Sequence, residues 1–225
     1  MSNWCYNEIY IVGGTEEQRK NLVEKIKYFM ENSPFKNVSK GWIGKLSVAC
    51  GVPVEEVIDE KSKYRESAFI QNVDMEEDSI FLTVESACYP IDEYLKNLFN
   101  AGLPSLEGMR YIYYAEEWGN DIWETNDVDG KFFTESYYFD DFEEILRSDS
   151  FYTEEDLLEF INSEEFKTAY MIEKNFHSYE EIKDYVVDNH CDFTVRKLEL
   201  VEEFKSQGER RGGATRLLTF AYQMH

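Results

Sequence analysis

Long apolar runs are missing from this chain, and none approaches the roughly twenty residues that a bilayer-spanning helix needs. Histidine is scarce: His177, His190 and His225 are the three present, which argues against a histidine-built zinc site. The four cysteines, Cys5, Cys50, Cys88 and Cys191, stand far apart with no C-x-x-C spacing. Thiols placed like this read as small core residues, not as disulfide partners or metal ligands. Basic charge is short as well, with 23 Lys and Arg against 46 Asp and Glu, a formal net charge of -23. That field repels nucleic acid and anionic lipid, so neither direct nucleic-acid binding nor membrane attachment is expected, and a basic protein is the favoured partner. The first residues form no basic-then-apolar leader, so the expected location is cytoplasmic. No cofactor motif is present, and none is expected.

Aromatic residues, by contrast, make up 16% of the chain, which suits a packed protein and not a disordered one. The acidic excess is also unevenly placed. Residues 113–165 carry 18 acidic and 2 basic side chains, net -16, whereas residues 1–112 are net -6 and residues 166–225 net -1.

The strongest local pattern lies between Ser79 and Trp118. Ile80–Val84 is a buried-strand run, and Pro90 opens a helix carrying Ile91, Tyr94, Leu95, Leu98 and Phe99 at helical spacing. Gly102 and Pro104 stop that helix, and Met109–Tyr114 is a second strand. Upstream, Asn3–Val12 reads as an aromatic, β-branched strand, and Gly13-Gly14 turns it. Thr15 and Gln18 then form a capping box for an amphipathic helix bearing Leu22, Ile26, Phe29 and Met30. A phosphate-loop reading of the Gly-Gly turn lacks the following Lys-Ser/Thr. Gly51-Val52-Pro53 resembles a helix-turn-helix turn, but the next helix begins Glu55-Glu56, so a short surface helix started by Pro53 is the better account. Ala68–Val73 and Ser79–Val84 read as a hairpin.

Downstream, Ile122–Thr125 and Lys131–Tyr138 flank Asp129-Gly130 and predict a further hairpin. A calcium loop at the same place would have Thr125 and Ser136 at its two strongest ligand positions. Beyond Phe139 the pattern turns helical: a short acidic helix over 140–147, then helices at Thr153 with Asp156, at Ser163, and at a capping box of Ser178 and Glu181. Two terminal strands, Phe193–Val201 and Arg216–Tyr222, enclose an Arg-Gly loop at 207–213. The expected class is α+β. Residues 1–139 form a ferredoxin-like antiparallel sheet with two helices on one face and an extra hairpin, and residues 140–225 form a helical extension ending in two strands.

Asn3-Trp4-Cys5-Tyr6-Asn7-Glu8-Ile9-Tyr10-Ile11 followed by glycines resembles the opening of the YubB-type ferredoxin-like proteins of phages, plasmids and conjugative elements. Val84–Pro90 stands where that family has a Thr-Ala-Trp-Ser-Pro-like turn, with Tyr89 in place of a polar residue. Leu103-Pro104-Ser105-Leu106 and Tyr113–Gly119 are similar to its Phe-Pro-x-Leu and Tyr-x-Glu-x-Gly elements. The resemblance covers residues 1–139 and implies a fold and a mobile-element origin, but no reaction and no iron–sulfur ligand set.

Two functional readings follow. In the first, the protein is a non-catalytic interaction protein whose acidic block docks a basic partner, in one version as a nucleic-acid mimic. Its expected contact residues are Asp140, Asp141, Glu143, Glu144, Glu154, Glu155 and Asp156. In the second, Glu116, Glu117, Asp121 and Glu124 form a carboxylate cluster for hydrolysis or a divalent metal. His190-Cys191 is adjacent in sequence, so the side chains diverge on a regular element and make no nucleophile pair. Trp4, Tyr6 and Trp118 are expected to pack as structural aromatics.

Overall fold

The computed structural model describes residues 4–36, 38–57, 68–117, 119, 122–142 and 145–201. They form two compact units, one running to Ile122 and the other Trp123–Val201.

The first unit runs β1 (Trp4–Gly13), α1 (Glu16–Glu31), α2 (Gly44–Ala49), α3 (Val54–Val57), β2 (Ala68–Met75), β3 (Ser79–Ala87), α4 (Asp92–Asn100) and β4 (Met109–Glu117). β1 lies between β3 and β4, antiparallel to both, and β2 pairs antiparallel with β3. Strand alternation sends Cys5, Asn7, Ile9 and Ile11 to one face of β1. The register sets Ile80, Leu82 and Val84 of β3 and Tyr111, Tyr113 and Ala115 of β4 beside them, all buried. This inner face is the core layer of the unit.

Of the long helices of the unit, α4 packs on β4, and α1 on β2 and β3. The α4 ring of Phe99 sits 5.1 Å from Tyr111, and the Tyr111 hydroxyl donates to Asp92 Oδ1 at 2.8 Å. α1 buries Leu22, Val23 and Ile26 and packs on α2, whose Ser47 Oγ is 2.6 Å from Tyr94 Oη of α4. The Thr15–Gln18 capping box is formed at the start of α1. Gly13 and Gly14 take φ of 83° and 62°, the left-handed region that glycine enters without strain. Their carbonyls accept from the Arg19 guanidinium, and the Gly14 amide is bonded to Gly108, so this turn closes the strand onto the helix and does not present amides to a phosphate.

One buried side chain joins three of these elements. Asn7 Nδ2 donates to the Cys5 carbonyl at 3.0 Å, the Val84 carbonyl at 3.1 Å and Ser86 Oγ at 3.0 Å. Its Oδ1 accepts the Ile91 amide at 3.1 Å, just ahead of α4. Ser86 Oγ in turn donates to the Tyr89 carbonyl at 2.6 Å, which holds the turn containing Cys88 at φ 70°.

The outer edge of β2 is met by residues 41–43. The Ile70 amide donates to the Gly41 carbonyl at 2.6 Å, the Ile43 amide to the Ala68 carbonyl at 3.0 Å, and Trp42 bridges Phe69. A β-carbon on Gly41 would collide with the Ile70 carbonyl oxygen, so glycine is required for this approach.

The second unit contains β5 (Ile122–Thr125, beginning at the boundary), β6 (Tyr137–Asp141), β7 (Asp149–Phe151), α5 (Glu154–Ile161), α6 (Glu164–Tyr170), α7 (Tyr179–Asn189), β8 (Phe193–Lys197) and β9 (Glu199–Leu200). β6 is the centre of a three-stranded antiparallel sheet between β7 and β8, and β5 pairs in parallel with β9. Fully buried Phe139 is surrounded by Phe160, Phe166 and Phe193, with ring centroids 5.2–5.7 Å away in tilted or edge-on contact. Leu157, Ile161, Phe176 and Ile182 complete this core. Among the described residues the whole is mixed α+β, with seven helices and a six-stranded, mostly antiparallel sheet of order β2-β3-β1-β4-β5-β9.

Several expectations are corrected. Residues 131–136 are not strand, and β6 pairs with β7 and β8 instead of closing a hairpin on β5. The reason is Asp127, whose Oδ2 takes the amides of Phe132 at 2.6 Å and Phe133 at 2.9 Å and winds the segment into a loop. β6 belongs to the second sheet, and the compact units divide at Ile122. The helix expected over 140–147 is replaced by the end of β6 and a non-helical segment at 145–148. β8 and β9 are separated at Leu198, where one strand had been expected. Trp4, expected as a structural aromatic, is 47% exposed and rests on Phe69 with centroids 5.9 Å apart. Trp118, Arg216–Tyr222 and loop 207–213 lie outside the described residues.

Replacing Asn7 by Leu keeps the volume but leaves the Ile91 amide and its companions without the amide. Urea unfolding should show the free energy lowered by more than about 2 kcal/mol, since each stranded buried polar group costs about 1–3 kcal/mol. An unchanged midpoint would refute the assigned role of Asn7.

Candidate functional site

The inner face of the first sheet is spent on its core, which leaves the other face for chemistry. Alternation places Trp4, Tyr6, Glu8 and Tyr10 there from β1, and Phe81 and Glu85 from β3. β4 adds Tyr114 and Glu116, and β2 adds Phe69 opposite Glu85. These side chains are half-buried or exposed.

Tyr6 is the centre of the arrangement. In register it stands directly opposite Glu85 on one side and Glu116 on the other. Its own hydroxyl donates to Glu8 Oε1 at 3.0 Å. Tyr114 Oη donates to Glu116 Oε2 at 2.6 Å, and Gln71 Nε2 to Glu85 Oε2 at 2.8 Å. Each carboxylate is therefore oriented by a neutral donor, and its second oxygen has no hydrogen-bond partner among the described residues. Across β1 to β4 the one basic residue is Arg110, which stands opposite Val12, far from Tyr6 along the strand. The field around Tyr6 shows in its phenol, which is pushed up to about 12 by burial, then by Glu8 through charge and hydrogen bond, then by Glu116 and Glu85. Tyr10 is raised too, by burial and then by Glu76 and Glu8. Its ring lies 4.9 Å from Phe81.

Glu116 and Glu117 are neighbours on one strand and so project to opposite faces. Glu116 joins the Tyr6 group, while Glu117 is buried on the inner side with Oε1 accepting the Gly119 amide at 3.0 Å. Glu124 lies on β5 in the other unit, and Asp121 lies outside the described residues. Among the described residues, no group of three or more His, Cys, Asp or Glu side chains is placed to hold a metal ion.

Four of the expected acidic contact residues serve local structure. Asp141 is buried, and its Oδ2 accepts the Leu146 amide at 2.5 Å; Asp140 Oδ1 accepts Ser148 Oγ at 3.0 Å. Glu154 bridges two elements, taking the Tyr137 hydroxyl at 3.2 Å and the Tyr179 amide at 2.7 Å. Asp156 completes the capping box with Thr153. Glu155 is exposed, and Glu143 and Glu144 lie outside the described residues. Sequence reasoning missed the Tyr6 group because it assigned Tyr6 to structural packing and grouped Glu116 with Glu117, Asp121 and Glu124 along the chain. The pattern Tyr6-x-Glu8-x-Tyr10 with Tyr114-x-Glu116 was the available signal, since period-two spacing puts all five on one face.

Two outcomes are expected. Asp141→Ala should lower stability by about 1–3 kcal/mol in denaturant melts, because a buried amide loses its acceptor, while Glu155→Gln should stay within about 0.5 kcal/mol. In the second, Tyr6 titrates near 12 against an ordinary 10, so its phenol favours the fold at pH below 10 and that contribution is lost as pH rises towards 12. Carbon-13 NMR of the tyrosine rings should show Glu8→Gln lowering the Tyr6 value without bringing it to 10, because burial is the larger cause. A Tyr6 value that ignores Glu8 would remove that carboxylate from its surroundings. No family model, curated protein or solved structure matches the chain.

Proposed function

We propose that this protein is a non-catalytic interaction module of a mobile genetic element that binds a basic protein partner on the outer face of β1–β4. The single observation that carries the reading is the Tyr6 group: three carboxylates held by neutral donors around aromatic rings, on a half-exposed sheet face. Such a face attracts cations by charge, and its rings add cation–π attraction of about 0.5–1 kcal/mol at exposed sites. The acidic block at 113–165 adds long-range attraction for the same kind of partner.

The ferredoxin-like reading is supported by the order β2-β3-β1-β4. That order is what the sequence strand, helix, strand, strand, helix, strand yields when the two halves interlock. The likeness of residues 1–139 to YubB-type proteins supplies the mobile-element part of the proposal.

The test is NMR mapping with a soluble peptide of mixed arginine and lysine. Amide shifts should concentrate on Tyr6, Glu8, Glu85, Tyr114 and Glu116, and affinity should fall steeply with added salt, since exposed charges are screened over about 10 Å at 0.1 M. Shifts confined to residues 153–156, or affinity indifferent to salt, would overturn the choice of this face.

A further inference from the structure

We propose that Phe176 and Tyr185 form a cation site on the second unit, filled from within the chain by Lys174, and that the ligand which exchanges with this lysine is a methylated ammonium. The Lys174 ammonium nitrogen lies 4.5 Å from the centroid of the Phe176 ring and 4.8 Å from that of Tyr185. Both distances are inside the roughly 6 Å over which a ring quadrupole attracts a cation. The two ring centroids are 5.2 Å apart and the planes cross at 75°, so the rings make a corner that one nitrogen touches on both sides. The chain carries 46 acidic side chains, yet Lys174 forms no ion pair and no hydrogen bond with any described residue. What holds a cation at this place is ring surface and not an acceptor.

Local structure fixes the corner before any ligand arrives. Asn162, which caps α5, donates from Nδ2 to the Phe176 carbonyl and accepts the Phe176 amide at Oδ1, each at 2.8 Å. Phe176 is buried in the core of the unit, while Tyr185 stands half-buried on α7. Glu181 lies one turn earlier on α7, with Oε2 on the His177 amide at 2.7 Å, and adds negative charge beside the segment that carries Phe176. A primary ammonium loses hydrogen bonds to water on entering such a corner and finds no acceptor in return. A methylated ammonium has fewer of those bonds to lose, and its methyl groups lie against the rings. Lys174 fills the site because it is tethered two residues from Phe176, which gives it a high effective concentration there. A free cation binds only the molecules in which the lysine has swung out, so its apparent affinity is lowered by that fraction.

The experiment titrates the full chain with tetramethylammonium chloride at constant ionic strength and follows aromatic and lysine side-chain resonances by NMR, with tert-butanol as an uncharged probe of similar size. In the unaltered protein the Phe176 and Tyr185 rings should shift together, and the Lys174 resonances should move towards those of a free lysine as the probe displaces it. Lys174→Ala should tighten tetramethylammonium binding about tenfold, because the tethered competitor is gone. Adding Tyr185→Leu to that variant should abolish binding, whereas Tyr185→Phe keeps a ring and should keep it. Circular dichroism melts confirm that each variant is folded; if Lys174→Ala unfolds, Lys174→Gln is used and should tighten binding too, and the displacement in the unaltered protein needs no variant. Equal ring shifts with tert-butanol would overturn the cation assignment and leave an apolar corner. Rings that do not respond to the cation, or an affinity unchanged by loss of the Lys174 charge, would overturn the exchange.

Discussion

The buried amide of Asn7 is the contact on which the first unit depends. A central strand flanked on both sides can pair through its backbone in more than one register, and the apolar residues alone do not forbid a slip by two. Asn7 does, because its four partners come from β1 itself, from β3 and from the residue preceding α4. A register shift would strand several of these groups in an apolar layer. The same amide aims α4 at the inner face, where Tyr111 and Asp92 then fasten it. The outer face follows by elimination: once the odd-numbered residues of β1 are committed inward, Tyr6, Glu8 and Tyr10 must look the other way.

Much of the first unit was legible because its signals are local. Thr15 with Gln18, the apolar stripe of α1, and the extended runs of β1, β3 and β4 all correspond to elements of the structure. So does the cap at Thr153 with Asp156. The Ser178 cap is partly as read: Ser178 accepts the Glu181 amide, but the Glu181 carboxylate reaches the amide of His177. What failed was pairing over distance. Asp129-Gly130 does make a turn, with the Gly130 amide on the Asp127 carbonyl, yet no ladder follows because the Asp127 side chain captures the next amides. Turn chemistry is visible in sequence, whereas which strand will claim β6 is decided by the aromatic core that Phe139 enters.

The candidate site was illegible for a related reason. Its carboxylates come from three strands and are joined only by register, and composition instead drew attention to the densest acidic block. There the structure gives charge an architectural use: Asp141, Glu154 and Asp156 satisfy amides and hydroxyls that would otherwise lack acceptors. Density of charge and availability of charge are different properties. Glu8, Glu85 and Glu116 are fewer, but each stands on the outer side of the sheet with one oxygen that no described residue bonds.

The seal along β2 bears on solubility under stress. A strand at the border of a sheet offers unpaired amides and carbonyls to any other extended chain, and such borders seed fibrils and intermolecular clumping. Here the backbone of residues 41–43 already occupies that border at Ala68–Ile70, and the bulge at Gln71 breaks the ladder beyond it. With a bulkier residue at position 41 the segment would be pushed off, and a tract containing Phe69 and Ile70 would be bared to neighbouring molecules. The glycine thus works as a gatekeeper, keeping apart copies of a protein whose sheet would otherwise be free to grow.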